Sequence, residues 1–337
     1  MSSVPPILQF TPIYKDKIWG GKKLKSIFGR QTPEGNIGES WEVSDYGKDV
    51  SVTSNTNYPG KSFREIYQSN TKEILGPSFS NQSFPLLVKI IDAREKLSVQ
   101  VHPDDAYAEK YDPVSSGKKE CWLVLAAEPG AELVVGFEKD TDKQTYAELV
   151  KKNQAEEVLR RWEVKPGDVF LLNPGTIHAI GAGVVLLEVQ QSSDSTYRVY
   201  DYGRLGDDGK PRDLHLEKAL AVLKFQKSDG SEKQGLSLIS HSPFSRYLCT
   251  SNDKFRLETW VFSQGQFLPL FPLSDPVSFG IAYVIQGEVS YPEERLSFKK
   301  GDSFFLTADA FQKGALLSIA PDTKIAFMSA GADWVNW

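Results

Sequence analysis

The chain has 337 residues, 40% of them hydrophobic and 25% charged, with a formal net charge of −5. That length accommodates two domains, each with its own buried core, and the composition is that of an ordered globular protein, not a disordered one. Nothing basic is larger than the Lys22, Lys23, Lys25 cluster, which reads as a solvated loop, so a nucleic-acid surface is excluded for want of clustered positive charge.

Cys121 and Cys249 stand far apart without metal-type spacing, so no disulfide framework is expected and a reducing, cytoplasmic compartment fits. The first twenty residues lack a cationic start with an apolar core, and no apolar run approaches the length of a membrane span.

Residues 1–11, with Pro5-Pro6, read as an extended arm. Lys17-Ile18-Trp19-Gly20-Gly21 reads as a tight turn beside an aromatic ring. In Gly38–Ser44, Ser40, Glu42 and Ser44 alternate with Trp41 and Val43, as in a strand with one packed face. Glu39 and Glu42 have two readings, carboxylates that approach the site or solvated strand-end carboxylates, and the second is preferred. Ser62, with Glu65 three residues on, marks a helix start. Between Pro85 and Asp92 the run Leu-Leu-Val-Lys-Ile-Ile is short enough for a strand buried on both faces.

The most informative stretch follows. Ser98, Gln100 and His102 alternate with Leu97, Val99 and Val101, so a strand here puts three polar side chains on one face. Burying an amide beside an imidazole is costly unless both are hydrogen-bonded or hold a metal. Pro103 and the acids after it open a short helix. Gly117–Leu125 then places Lys118 and Glu120 on one strand face and Lys119 and Cys121 on the other, which makes Cys121 a buried structural thiol and not a ligand.

Residues 131–137 alternate as a strand, and 140–162 read as a helical excursion flanking the barrel. Lys165-Pro-Gly-Asp introduces an apolar strand, 169–172, that ends in Asn173-Pro-Gly-Thr-Ile-His178. Gln100, His102, Glu120 and His178 are thereby expected to converge on one divalent ion, with Zn²⁺ preferred over Fe²⁺, Mn²⁺ or Co²⁺ for two imidazoles, a carboxylate and an amide oxygen. The barrel continues through 184–202 and a turn at 203–211. Asp213 is expected to cap a helix carrying Leu216, Ala219, Leu220 and Leu223, residues 225–240 read as a linker, and a second strand-rich unit starts near Arg246. His215 and His241 read as structural.

The segments Leu-Ser-Val-Gln-Val-His-Pro-Asp, Gly-Lys-Lys-Glu, Asn-Pro-Gly-Thr-Ile-His-Ala-Ile and Leu-Glu-Val-Gln-Gln-Ser-Ser-Asp-Ser-Thr-Tyr-Arg resemble, in order, type I mannose-6-phosphate isomerases of the cupin superfamily. The resemblance implies a mainly β chain of two cupin-type barrels. Residues 1–205 would form the arm and metal-binding barrel, 206–240 a helical insertion and linker, and 241–337 a second barrel without ligands. It also implies a zinc-dependent interconversion of mannose 6-phosphate and fructose 6-phosphate through a cis-enediol, with one Zn²⁺ per chain.

Lys118, whose ammonium a nearby metal would disfavour, is the base by resemblance. The resemblance also implies that Glu188 would be a further site carboxylate, that Asp194 would act in ring opening and that Arg198 would face the intermediate or the phosphate; the sequence does not choose which group moves the proton. Ser98, Lys118 and Arg198 are the nearest phosphate donors. The chain departs from the family where Lys118-Lys119-Glu120 replaces a common Lys-Pro-Glu, and its helical insert is reduced. Two alternatives stand: a non-catalytic sugar-phosphate-binding cupin, and another metal-dependent cupin enzyme. A small-molecule sugar phosphate is the expected partner, with the chain a monomer or small homo-oligomer.

The second unit echoes the first. Lys300-Gly-Asp repeats Lys165-Pro-Gly-Asp, and Tyr283-Val-Ile repeats Leu123-Val-Leu. Laying Gly167 on Gly301 and Leu123 on Tyr283 pairs His178 with Gln312 and Glu120 with Gly280, so the second copy is expected to lack ligands.

Overall fold

The computed structural model describes residues 4–337 except 57, 80–82, 115, 207 and 208. Residues 1–3 of the predicted arm and the middle of the predicted 203–211 turn therefore lie outside the described residues. The chain is mainly β, and its described strands pair antiparallel into two barrels of the cupin type. In the first barrel a seven-stranded sheet runs in the order 233–234, 169–172, 120–127, 184–191, 86–93, 13–21, 37–43. It faces a five-stranded sheet in the order 159–163, 132–137, 178–180, 99–101, 197–200. The second barrel repeats the plan with seven strands (7–8, 303–306, 280–286, 323–330, 255–262, 245–251, 237–240) and four (266–269, 316–319, 288–291, 296–299).

The two seven-stranded sheets pack against each other. Leu86, Val88, Ile90, Cys121 and Leu123 from the first share one apolar cluster with Cys249, Leu257, Ile281, Tyr283 and Met328 from the second. Period-2 alternation turns Trp122 and Val124 the other way, into the first barrel's own interior with Leu133 and Phe170. This is why Leu86–Ala93 is buried along its whole length. Aromatic pairs stitch the junction, among them Phe84–Phe279 and Phe63–Phe305, each with ring centroids 5.1 Å apart and worth about 0.5–1.5 kcal/mol beyond area burial.

Several local expectations are corrected. The Lys17–Gly21 stretch is the end of the Ile13–Gly21 strand, not a turn. Its glycines serve close approach: a Cβ on Gly20 would lie 2.1 Å from the Asn36 carbonyl oxygen, and one on Gly21 2.3 Å from Asp92 Oδ1. Glu42 is not solvated but buried, ion-paired to Arg30 at 2.6 Å, while Arg30 Nε donates to the Gly301 carbonyl of the second barrel at 2.8 Å. The 140–162 excursion is helical only at Lys143–Lys151 and Ala155–Val158, and Leu159–Glu163 returns as a strand. His215, not Asp213, stands at the N-cap of the Leu216–Val222 helix. Within the linker, Lys233–Gln234 pairs with Val169–Phe170 of the first barrel and Ser237–Ser240 with the second, while Ile7–Leu8 of the arm joins the second barrel at Phe305–Leu306. The Ser62–Glu65 capping box and the helix after Pro103, capped by Asp104, form where the sequence places them.

The repeat is visible in matched hydrogen bonds. Val124 N donates to the Asp168 carbonyl and Gly167 N to the Val124 carbonyl; Val284, Asp302 and Gly301 make the same pair. Glu120 sits across from Leu172 and Gly280 across from Leu306, so Gly280 occupies the Glu120 position. His178, however, corresponds to Leu317 and not Gln312. Gly181 N bonds the Glu132 carbonyl as Ala320 N bonds that of Glu288, and the Ala308–Lys313 helix supplies the extra residues that an ungapped comparison misses. Since His178 faces Gln100 and Leu317 faces Leu268, the counterparts of Gln100 and His102 are Leu268 and Leu270, both buried. A Cβ on Gly280 would lie 2.5 Å from the Phe327 ring. Gly280→Ala is therefore expected to cost about 1–3 kcal/mol in denaturant unfolding by overpacking, with the metal content of the first barrel unchanged.

Candidate metal centre and active-site pocket

Three strand segments build the site. Val99 and Val101 pack under the flanking helices, which turns Ser98, Gln100 and His102 into the barrel. His178 opens the His178–Ile180 strand directly across from Gln100. Glu120 opens the Glu120–Ala127 strand across from Gln190 and Leu172. One ligand atom from each of His102, Glu120 and His178 lies within 4.8 Å of the others, and all three residues are buried. Gln100 is half-buried and lines the adjoining pocket.

The hydrogen-bond partners fix the imidazole tautomers. His102 Nδ1 lies 2.7 Å from the Ser195 carbonyl and His178 Nδ1 2.9 Å from the Thr176 carbonyl; carbonyls only accept, so both Nδ1 atoms carry the proton. Both Nε2 atoms are then lone pairs, and they face each other at 3.2 Å. Glu120 Oε1, 3.2 Å from His178 Nε2, has no hydrogen-bond partner. Burial holds both imidazoles neutral, His102 well below the ordinary range and His178 down to about 3. His178 Nε2 and Glu120 Oε1 face each other with no proton between them, and together with His102 Nε2 they fit a cation, so the cluster fits a metal site. The Lys118 ammonium reaches toward the same atoms, touching Glu120 and lying 3.3 Å from His102 Nε2.

A cavity of about 230 Å³ opens beside this cluster. Every remaining predicted site residue lines it: Ser98, Lys118, Glu188, Asp194 and Arg198. Glu188 is buried, accepts from Trp122 Nε1 at 2.8 Å and lies 3.9 Å from Lys118. Burial raises its pKa despite Lys118 nearby. Arg198 does not pair with Asp201, which is taken by Arg204 and Arg212; it donates from Nε to Ser98 Oγ at 3.3 Å. His215 braces the Arg198 backbone, Nδ1 accepting its N–H at 3.2 Å.

Sequence reasoning missed Lys89, Glu39 and Arg212, all lining the same cavity. Lys89 lies 3.2 Å from Asp194, 3.9 Å from both Glu39 and Glu188, and over the Trp41 ring. Burial would lower its pKa, but these carboxylates, Glu39 foremost, raise it above the ordinary lysine value. Glu39, expected in solvent, is instead largely enclosed; burial opposes its ionisation, yet Lys89 and Lys17 hold it down at about 2. A lysine inside the apolar run Leu86–Ile91 of a fully buried strand was the available signal.

Two cupin-type barrels, one carrying a buried two-histidine, one-glutamate cluster beside a charged cavity and the other filled with apolar side chains, define a bicupin with a single candidate metal centre among the described residues. Residues 7–156 match the family described as phosphomannose isomerase type I, catalytic domain. The putative mannose-6-phosphate isomerase YvyI of Bacillus subtilis is 35% identical over 308 residues, covering 88% of this chain and 92% of its own. The mannose-6-phosphate isomerase of Streptococcus mutans is 37% identical over 292 residues, 86% of this chain and 89% of its own. The crystal structure of the mannose 6-phosphate isomerase from Bacillus subtilis superposes with a TM-score of 0.85 at 32% identity, over 96% of this chain and 99% of that one. The chain belongs to the type I phosphomannose isomerase family.

Proposed function

We propose that the chain interconverts mannose 6-phosphate and fructose 6-phosphate, using one Zn²⁺ held by Gln100, His102, Glu120 and His178. The observation that carries this reading is the pair of facing imidazole lone pairs, with an unpartnered carboxylate oxygen, beside a cavity lined by a buried ammonium and a buried carboxylate. Two imidazoles with oxygen donors favour zinc among divalent ions. When bound, the ion supplies positive charge that stabilises negative oxygen next to it.

The chain's own residues supply the rest. A proton must leave C2 of the aldose and arrive at C1, while the hydroxyl protons redistribute between O1 and O2. On the cavity wall, 3.9 Å apart, either the Glu188 carboxylate or Lys118 as the neutral amine that an adjacent metal cation would favour takes the proton from C2 and returns it to C1, and Trp122 fixes the Glu188 carboxylate through its Nε1–H. Asp194, half exposed and tethered by Lys89, is placed to exchange a proton with the ring oxygen or anomeric hydroxyl during opening. Arg198 offers a cation to the enediolate, and Ser98 holds its guanidinium in place.

The catalytic unit is placed in 1–205, with 206–240 as insertion and linker and 241–337 as a second barrel without ligands, except that three strands cross these bounds: Ile7–Leu8 and Ser237–Ser240 join the second barrel and Lys233–Gln234 the first. Among the described residues no helix is long and apolar enough to cross a membrane. The two buried free cysteines support a reducing, cytoplasmic setting.

Metal-replete protein is expected to form fructose 6-phosphate from mannose 6-phosphate in a coupled assay. Chelation is expected to abolish turnover and added Zn²⁺ to restore it. Absence of turnover in both directions with the metal bound would overturn the assignment.

A further inference from the structure

Arg198 and Arg212 line one wall of the cavity. Just behind them Asp201, 5% exposed, receives Arg212 Nε at 2.7 Å, Arg212 Nη2 at 2.6 Å and Arg204 Nη2 at 2.6 Å. Arg198 has no carboxylate partner among the described residues; its Nη1 donates to the Asp213 carbonyl at 2.8 Å. Three guanidiniums against the carboxylates of Asp201 and Asp213, both of which act on Arg198, leave an excess of one positive charge. Elsewhere in the lining, Lys17, Lys89 and Lys118 are matched in number by Glu39, Glu188 and Asp194, so the excess belongs to this wall.

Two cations held side by side repel, and a fold that keeps them there needs an anion between them. The Asp201 bracket engages Nε and one Nη2 hydrogen of Arg212, which fixes the plane of its fork. Both Nη1 hydrogens have no acceptor among the described residues. A guanidinium held by one edge with the other edge free is arranged for a second, forked anion contact. We propose that Arg212 is a specificity-determining residue that clamps the substrate's dianionic phosphate, with Arg198 beside it left to the sugar's enediolate, and that Asp201 is the brace that aims it.

This rests on the isomerase reading, and the test separates the two. The probes are mannose 6-phosphate and inorganic phosphate, with full-length, metal-replete protein. Arg212→Ala is expected to raise KM for mannose 6-phosphate and the inhibition constant of inorganic phosphate about 10- to 100-fold, the loss of a charge-assisted contact, with kcat within about threefold and metal content unchanged. Arg212→Lys is expected to recover little of the loss, since a point charge does not reproduce the braced fork. A fall in kcat with KM and phosphate inhibition unmoved would overturn the proposal, as would full recovery in the lysine variant. If the wild-type protein fails to isomerise, calorimetric binding of mannose 6-phosphate to wild type and Arg212→Ala decides: weaker binding in the variant upholds the arginine while the isomerase reading falls, and equal binding sinks both.

Discussion

His178→Ala is expected to abolish bound metal and to lower kcat/KM on the order of 10³-fold or more, because several kcal/mol of Lewis-acid stabilisation leave with the ion. The substitution removes one of two facing lone pairs and leaves Glu120, with Oε1 already unpartnered, beside His102 and Lys118. Lys118 then becomes the cation nearest that carboxylate, and the cluster closes as a protein ion pair. Metal per chain after gel filtration and steady-state kinetics measure the two effects. Wild-type metal content in this variant would remove His178 from the ligand set.

Arg198→Ala is expected to keep metal at the wild-type level and lower kcat/KM by about 10²- to 10³-fold, the range seen when one preorganised donor to a developing oxyanion is removed. Arg198 contacts Ser98 and the Asp213 carbonyl but none of His102, Glu120 and His178, so its loss leaves the cluster's own bonds in place. Arg198→Lys is expected to recover little, since a point charge does not reproduce a fork already anchored at Nε. Equal metal loss in Arg198→Ala and His178→Ala would overturn this division of roles.

Strand parity made much of the site legible. Alternation through Ser98, Gln100 and His102 sets their common face, and the same rule separates Glu120 from Cys121, which the structure sends into opposite cores. What stayed hidden depends on pairing across long separations. Lys89 reads as one polar interruption of an apolar strand until Glu39, Glu188 and Asp194 arrive from three other segments. Glu42 looks like a surface carboxylate until Arg30 pairs with it and Ser303 of the second barrel donates to it. Arg212 follows a turn whose outward appearance gives no hint that Asp201, eleven residues earlier, bends it back to the cavity. The repeat was legible at its Gly-Asp turns, where backbone bonds recur, and misleading at His178, where a short helix shifts the count.

The cluster that Cys121 and Leu123 share with Cys249 and Leu257 has a consequence for how the molecule comes apart. The strand that begins with Glu120 has its back covered by the other half of the chain, so neither half has a finished exterior alone. Heat or urea should melt the chain in one cooperative step, and a severed N-terminal half should aggregate through that bared sheet.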